Sequence, residues 1–236
     1  MAGDAPDFSV GTVGLSPIMV NTMPILKNHP GGNVFYFDNF EGSNITWEIA
    51  KDYGADYGFA EIDKTHAYIG AGCVRLYRNE NQVVYIRLDR RFQFRSSDTI
   101  GIEFSFMLSD KSQARAEIRY EYKIGGTFYQ FFIRFMENHI RVATSEGEIY
   151  YEYSFGNFLK NMVWNNVKVI INTKDHRYVR LYYGKDVFDI DHPSQMYSET
   201  GDLFPCLHLG FRSYVNGNGP RNLWIDKVIL TDDETI

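Results

Sequence analysis

The sequence of 236 residues holds only two cysteines, Cys73 and Cys206, far apart and in no C-x-x-C arrangement, so neither a zinc ribbon nor a redox motif can be built from them. Its six histidines (His29, His66, His139, His176, His192, His208) show no H-x-H or H-E-x-x-H spacing, which leaves a catalytic metal without its usual ligands. A G-x-S-x-G elbow, a Walker loop and a dinucleotide fingerprint are all missing. No apolar run approaches the roughly 20 residues of a membrane-spanning helix, so no membrane partner is expected. Basic clusters are missing as well. With 24 Lys and Arg against 30 Asp and Glu the net charge is −6, and a nucleic-acid partner, which would need a concentrated basic surface, is not expected. The first residues, Met1-Ala2-Gly3-Asp4-Ala5-Pro6-Asp7, are acidic where a signal peptide is basic, and the apolar stretch after them is interrupted by Gly11, Gly14, Pro17 and Asn21. No signal peptide is expected, and the chain is expected to be made in the cytoplasm.

What is abundant is aromatic: 18 Phe and 17 Tyr bring aromatics to 16 %. These residues favour pleated, half-buried surfaces, and the excess leans toward β structure. Residues 1–30 stand apart, with prolines, glycines and scattered apolar side chains of neither helical nor strand period; they read as an extended N-terminal arm ahead of a single β domain over 31–236. From Val34 the chain is a series of short β signals. The clearest is Gln113–Ile124, where Ala114, Ala116, Ile118, Tyr120, Tyr122 and Ile124 alternate with polar residues, placing one face on a core and the other in solvent. Gly125-Gly126 then turns the chain into Thr127–Met136, apolar on both faces apart from Gln130 and Arg134, as a hairpin. Further strands are expected at Val34–Asp38, Cys73–Tyr77, Val83–Asp89, Thr99–Leu108, His139–Thr144, Glu148–Tyr153, Asn166–Thr173, Tyr178–Tyr183, Cys206–Ser213 and Leu223–Thr231. On the return strand, strict alternation puts Tyr178 and Tyr182 on one face and Val179 and Leu181 on the other. With no internal repeat and almost no helical pattern, the fold class is all-β, an antiparallel β-sandwich.

Three segments carry a resemblance. They are Phe37-Asp38-Asn39-Phe40-Glu41-Gly42 with Trp47 beyond it, the hairpin Trp164–Thr173 and Tyr178–Gly184, and Leu223-Trp224-Ile225-Asp226-Lys227-Val228 near the end. Their order and spacing resemble the concanavalin A-like and carbohydrate-binding-module jelly rolls, over about residues 34–232 by the family terms of strand order. The resemblance implies a lectin-like jelly roll. It also implies a structural calcium ion as the only cofactor, held by Asp38, Glu41 and Asp226, whose hard oxygens suit that ion.

Glycosidases of this type carry acids at alternate positions of one strand. Here Glu61-Ile62-Asp63-Lys64-Thr65 has Thr where a third acid is needed, so no catalytic residue is nominated, and Glu61 and Asp63 read as a solvated strand end. Asp186, Asp189 and Asp191 lack the glycine and terminal Glu of an EF-hand loop and read as a turn-and-edge cluster. Sugar recognition would draw on the polar sides of strands, with Arg119, Gln130, Arg134, Tyr151, His208 and Arg212 as candidates.

Three functions from different classes remain. The leading expectation is a non-catalytic structural or decoration protein of a virion, as in a bacteriophage capsid, assembled in the host cytoplasm. Its arm, through Val10, Val13, Leu15, Ile18, Val20, Met23 and Ile25, would clamp neighbouring subunits. The alternatives are a carbohydrate-binding module with glycan partners, and a glycoside hydrolase or lyase on a lectin-like fold.

Overall fold

The computed structural model describes residues 32–53, 57–78, 84–93, 97–112, 114–143, 150–154, 159–198, 204–213 and 221–234. The seven apolar arm positions from Val10 to Ile25 lie outside the described residues. Among the described residues the chain forms sixteen strands and no helix: β1 (Asn33–Asp38), β2 (Glu48–Tyr53), β3 (Gly58–Asp63), β4 (Cys73–Arg78), β5 (Val84–Arg91), β6 (Thr99–Leu108), β7 (Ala114–Ile124), β8 (Thr127–Met136), β9 (His139–Ala143), β10 (Tyr150–Ser154), β11 (Asn165–Asn172), β12 (Arg177–Tyr183), β13 (Asp186–Asp189), β14 (Gln195–Ser198), β15 (Cys206–Ser213) and β16 (Arg221–Asp232). All pair antiparallel, in two sheets. Sheet I runs β13-β12-β11-β6-β16-β4-β3 with β1 also on β16, and sheet II runs β10-β9-β8-β7-β15-β5-β2 with β14 also on β8.

The core lies between the sheets and is filled mainly by alternate side chains of the central strands. Sheet I contributes Ile102, Phe104, Phe106, Val169, Ile171, Ile225 and Leu230; sheet II contributes Ile86, Leu88, Ile118, Phe131, Phe135, Leu209 and Phe211. The aromatic excess is spent here, with Phe135 edge-on to Phe104 at 6.0 Å and tilted on Phe106 at 5.1 Å. Gly125 and Gly126, at φ 60° and 82°, form the two-residue β7–β8 turn that only glycine adopts without strain.

The outer face of sheet I departs from simple alternation at one point. Asp226 sits opposite Ser105, but the next pair is Ile229 with Glu103, so Lys227 is an extra residue, held at φ 51°. This bulge switches the inward positions of β16 from Leu223 and Ile225 to Val228 and Leu230, and it sets Asp226 and Lys227 side by side under cover. Lys227 pairs with Glu103 at 3.0 Å, and Lys168 with Glu234 at 2.7 Å; Thr231 also donates to Glu234. Gly101 leaves the room these groups need, because a Cβ there would overlap both the Glu234 carboxylate and the Thr231 hydroxyl. Gly101→Ala is therefore expected to destabilise the fold by about 2 kcal/mol, read as a lower midpoint in urea.

Two expectations about faces need correction. The polar face of β7 is not in solvent: Arg115, Glu117 and Lys123 are each less than a tenth exposed. Tyr178 and Leu181 both enter the core, because the β11–β12 register shifts between Ile170 and Ile171 and breaks the alternation between them. The two cysteines are buried and unpaired with each other.

Candidate functional site

Cross-strand register turns the outer face of sheet II into ordered rows. One row runs Asp89, His208, Arg119, Phe132 across β5, β15, β7 and β8; the next runs Arg87, Gly210, Glu117, Arg134. A third joins Tyr85, Arg212 and Arg115, and a fourth Arg91, Cys206, Glu121 and Gln130. Five of the six residues nominated for glycan contact (Arg119, Gln130, Arg134, His208 and Arg212) thus gather on three adjacent strands. The sixth, Tyr151, pairs in β10 with Val142, and its side chain lies outside the described residues.

Each acid on these strands is matched by a base. His208 bridges two carboxylates, Asp89 at 2.6 Å and Glu121 at 2.8 Å. Burial would lower the His208 pKa, but hydrogen bonds with Asp89, Cys206 and Glu121 outweigh it and push the imidazole up to about 11, so it is a cation at neutral pH. The same pairing holds Asp89 and Glu121 below the usual carboxylate range against the opposing pull of their burial. Arg87 lies 3.0 Å from Asp89, and Glu117 takes Arg134 at 3.0 Å and Arg115 at 3.2 Å. Two guanidinium groups lie over the Phe132 ring, Arg134 at 4.4 Å and Arg119 at 5.0 Å from its centre. Asp89, Glu117 and Phe132 went unnominated in the sequence, although the alternation that placed Arg119 and Arg134 on this face places them there too.

Chemically, the face offers fixed ions and planar donors rather than a titrating acid. Glycoside hydrolysis needs one protonated carboxyl as a donor, and Asp89 and Glu121 are both held as anions. The Glu61 and Asp63 pair is no better placed. Both line a separate cavity of about 770 Å³ on sheet I with His66, Arg75, Asn222 and Trp224. Glu61 is tied to Arg75 at 3.0 Å. Asp63 is no solvated strand end: it accepts from the Thr65 backbone and hydroxyl, His66 Nδ1 and the Trp224 indole at 2.6–2.8 Å. Burial would raise its pKa, but those hydrogen bonds prevail and keep it below the usual range.

The residues nominated for calcium divide. Asp38 is committed to its own turn, accepting from Phe40 N–H and Trp47 Nε1 at 2.9 Å and from Tyr36 and Thr46. Asp226 and Glu41 both grip the loop before β4, Asp226 through the Tyr68 and Ile69 amides and Glu41 through that of Ala71. Asp226 Oδ1 is buried without a hydrogen-bond partner, and burial, with the Glu41 charge adding to it, raises its pKa. That orphan oxygen fits a cation, with Glu41 as the neighbouring carboxylate. Among the described residues no group of three acidic, His or Cys side chains converges to hold one. The acidic cluster of β13 and its flank is spread along an edge, where Asp189 pairs with Arg180 at 2.7 Å and Asp191 with Arg177 at 3.1 Å.

Solved structures match this arrangement of two sheets over most of its length. The chain superposes on the cellulose-induced protein Cip1 with a TM-score of 0.59 at 12 % identity, covering 83 % of this chain and 96 % of that one. The fold is a lectin-like jelly roll. The same jelly roll is found in the carbohydrate recognition domain of Emp46p, at TM-score 0.50 and 12 % identity over 80 % of this chain and 89 % of that one. It recurs in the carbohydrate esterase vb_24B_21 of the Shiga toxin-encoding bacteriophage phi24B, at TM-score 0.51 and 12 % identity over 79 % and 90 %. No protein-family model and no curated protein sequence matches the chain. At these identities the likeness establishes the jelly roll and not its use.

Proposed function

We propose that the protein binds glycans, and that the outer face of sheet II is where it does so. The observation that carries this reading is the pair of guanidinium groups on Phe132, set among Gln130 and His208 in register across β15, β7 and β8. Planar donors held by a rigid sheet suit sugar hydroxyls and ring oxygens, since little side-chain freedom is lost on binding. A jelly roll shared with a carbohydrate recognition domain supports the same reading. The leading expectation from the sequence, a virion protein that clamps neighbouring subunits, depends on residues 10–25, outside the described residues, and a similar fold in one phage esterase adds little to it.

A glycan array on the full chain, followed by calorimetric titration of the best ligands, tests the proposal. Arg134→Ala is expected to weaken binding about tenfold, equivalent to about 1.4 kcal/mol, with the far-ultraviolet circular dichroism unchanged. Equal affinity in the variant would move the site off this face. An array with no bound glycan would defeat the reading.

A further inference from the structure

The charges on this face do not cancel. Glu117 is matched by Arg115 and Arg134, and Asp89 and Glu121 by Arg87 and His208. Arg119 and Lys123, on the same side of β7, are left over. Arg119 makes no ion pair among the described residues, and its Nε is buried without a hydrogen-bond partner above Phe132. Lys123 is 6 % exposed, and its Nζ likewise has no hydrogen-bond partner. A buried cation without an acceptor is costly, and a protein with net charge −6 has no shortage of acids with which to meet it. An anion arriving with a ligand would relieve that cost.

Resting on the glycan-binding reading above, we propose that the ligand is an acidic glycan, whose carboxylate or sulfate groups are met by Arg119 and Lys123. The two positions are four residues apart on one strand, about 13 Å. One sugar ring cannot reach both, so the ligand is an oligosaccharide carrying repeated acidic groups. Arg119 offers a planar fork to such a group and Lys123 a point charge.

The test uses the full chain and matched pairs of polymers: polygalacturonate against its methyl ester, and dextran sulfate against dextran, by calorimetric titration in 50 mM salt. At least one charged member is expected to bind tenfold or more tightly than its neutral counterpart; the pair that discriminates tells carboxylate from sulfate. Arg119→Gln and Lys123→Gln should each lower that affinity about tenfold without lowering the thermal midpoint of the free protein, and Lys123→Arg should retain it. Raising the salt to 0.5 M should weaken the intact chain more than the double Gln variant. Neutral and charged forms bound equally, or the double variant binding like the intact chain, would overturn the proposal and leave a neutral-glycan site standing. Duplex DNA bound as tightly as the acidic polymers would overturn it in favour of a general polyanion surface. Failure to bind any glycan, neutral or charged, here and on the array, would defeat the underlying function as well.

Discussion

Replacing His208 with leucine is expected to cost about 3–5 kcal/mol at pH 7, the usual consequence of removing one member of a buried ionic cluster. The loss does not come from packing, since leucine fills much of the same space. It comes from Glu121, which would keep Gln130 at 3.3 Å and the charge of Arg119 but no ion pair among the described residues, whereas Asp89 would still have Arg87. The pH dependence provides a second signature. In the folded protein the His208 pKa is raised to about 11, so the stability it supplies is fully present below the ordinary imidazole range and is lost as pH rises toward that value. Asp89 and Glu121 are lowered, so their contribution is present above the ordinary carboxylate range and lost as pH falls through their folded values. The intact chain should therefore lose about 2 kcal/mol between pH 7 and pH 9 on account of this one proton. The leucine variant should show no such loss over that interval, and should gain stability below pH 6, where its stranded carboxyl can take up a proton. Urea melts at pH 5, 7 and 9 decide the matter; parallel pH profiles for the two proteins would show that His208 is not the bridging cation.

The same cluster marks where sequence reasoning stopped. The series of β signals located β6, β8 and β15 over their full lengths, and it set Arg119, Gln130, Arg134, His208 and Arg212 on the polar sides of strands that turn out to be central. It did not find β2, β3, β13 and β14, whose short mixed-polarity sequences make few core contacts and whose pairing is supplied by a neighbouring strand. Nor could it tell that Arg115, Glu117 and Lys123 on the outward face are buried, because that depends on register across four strands rather than on residue type. Asp38, Glu41 and Asp226 were chosen by resemblance. Their different partners, one set within a turn and two along the 68–71 loop, are fixed by hydrogen bonds that no local pattern encodes.

A second large effect is expected on the opposite sheet, where Lys168 and Glu234 meet with side chains 1 % and 0 % exposed. Lys168→Met should destabilise the fold by about 3–5 kcal/mol, because it leaves the Glu234 carboxylate buried without its cation. The double change Lys168→Met with Glu234→Leu should recover most of that loss, since it removes both desolvation penalties and leaves an apolar contact across β11. Thr231 complicates the double variant only slightly, because its hydroxyl also has the Gly101 carbonyl at 3.4 Å as an acceptor. The exposed pair Arg180 and Asp189, close in distance at 2.7 Å, is the control: Asp189→Asn should change stability by less than about 1 kcal/mol. Distance alone would rank the two pairs together, and burial separates them. Recovery in the double variant would show that the single change is costly because it strands the Glu234 carboxylate, since the bond from Thr99 to the Glu234 backbone carbonyl at 2.9 Å is kept in both variants. If the double variant is instead as unstable as the two single changes added together, the cost lies in lost packing around β11 and the ion pair is incidental to it.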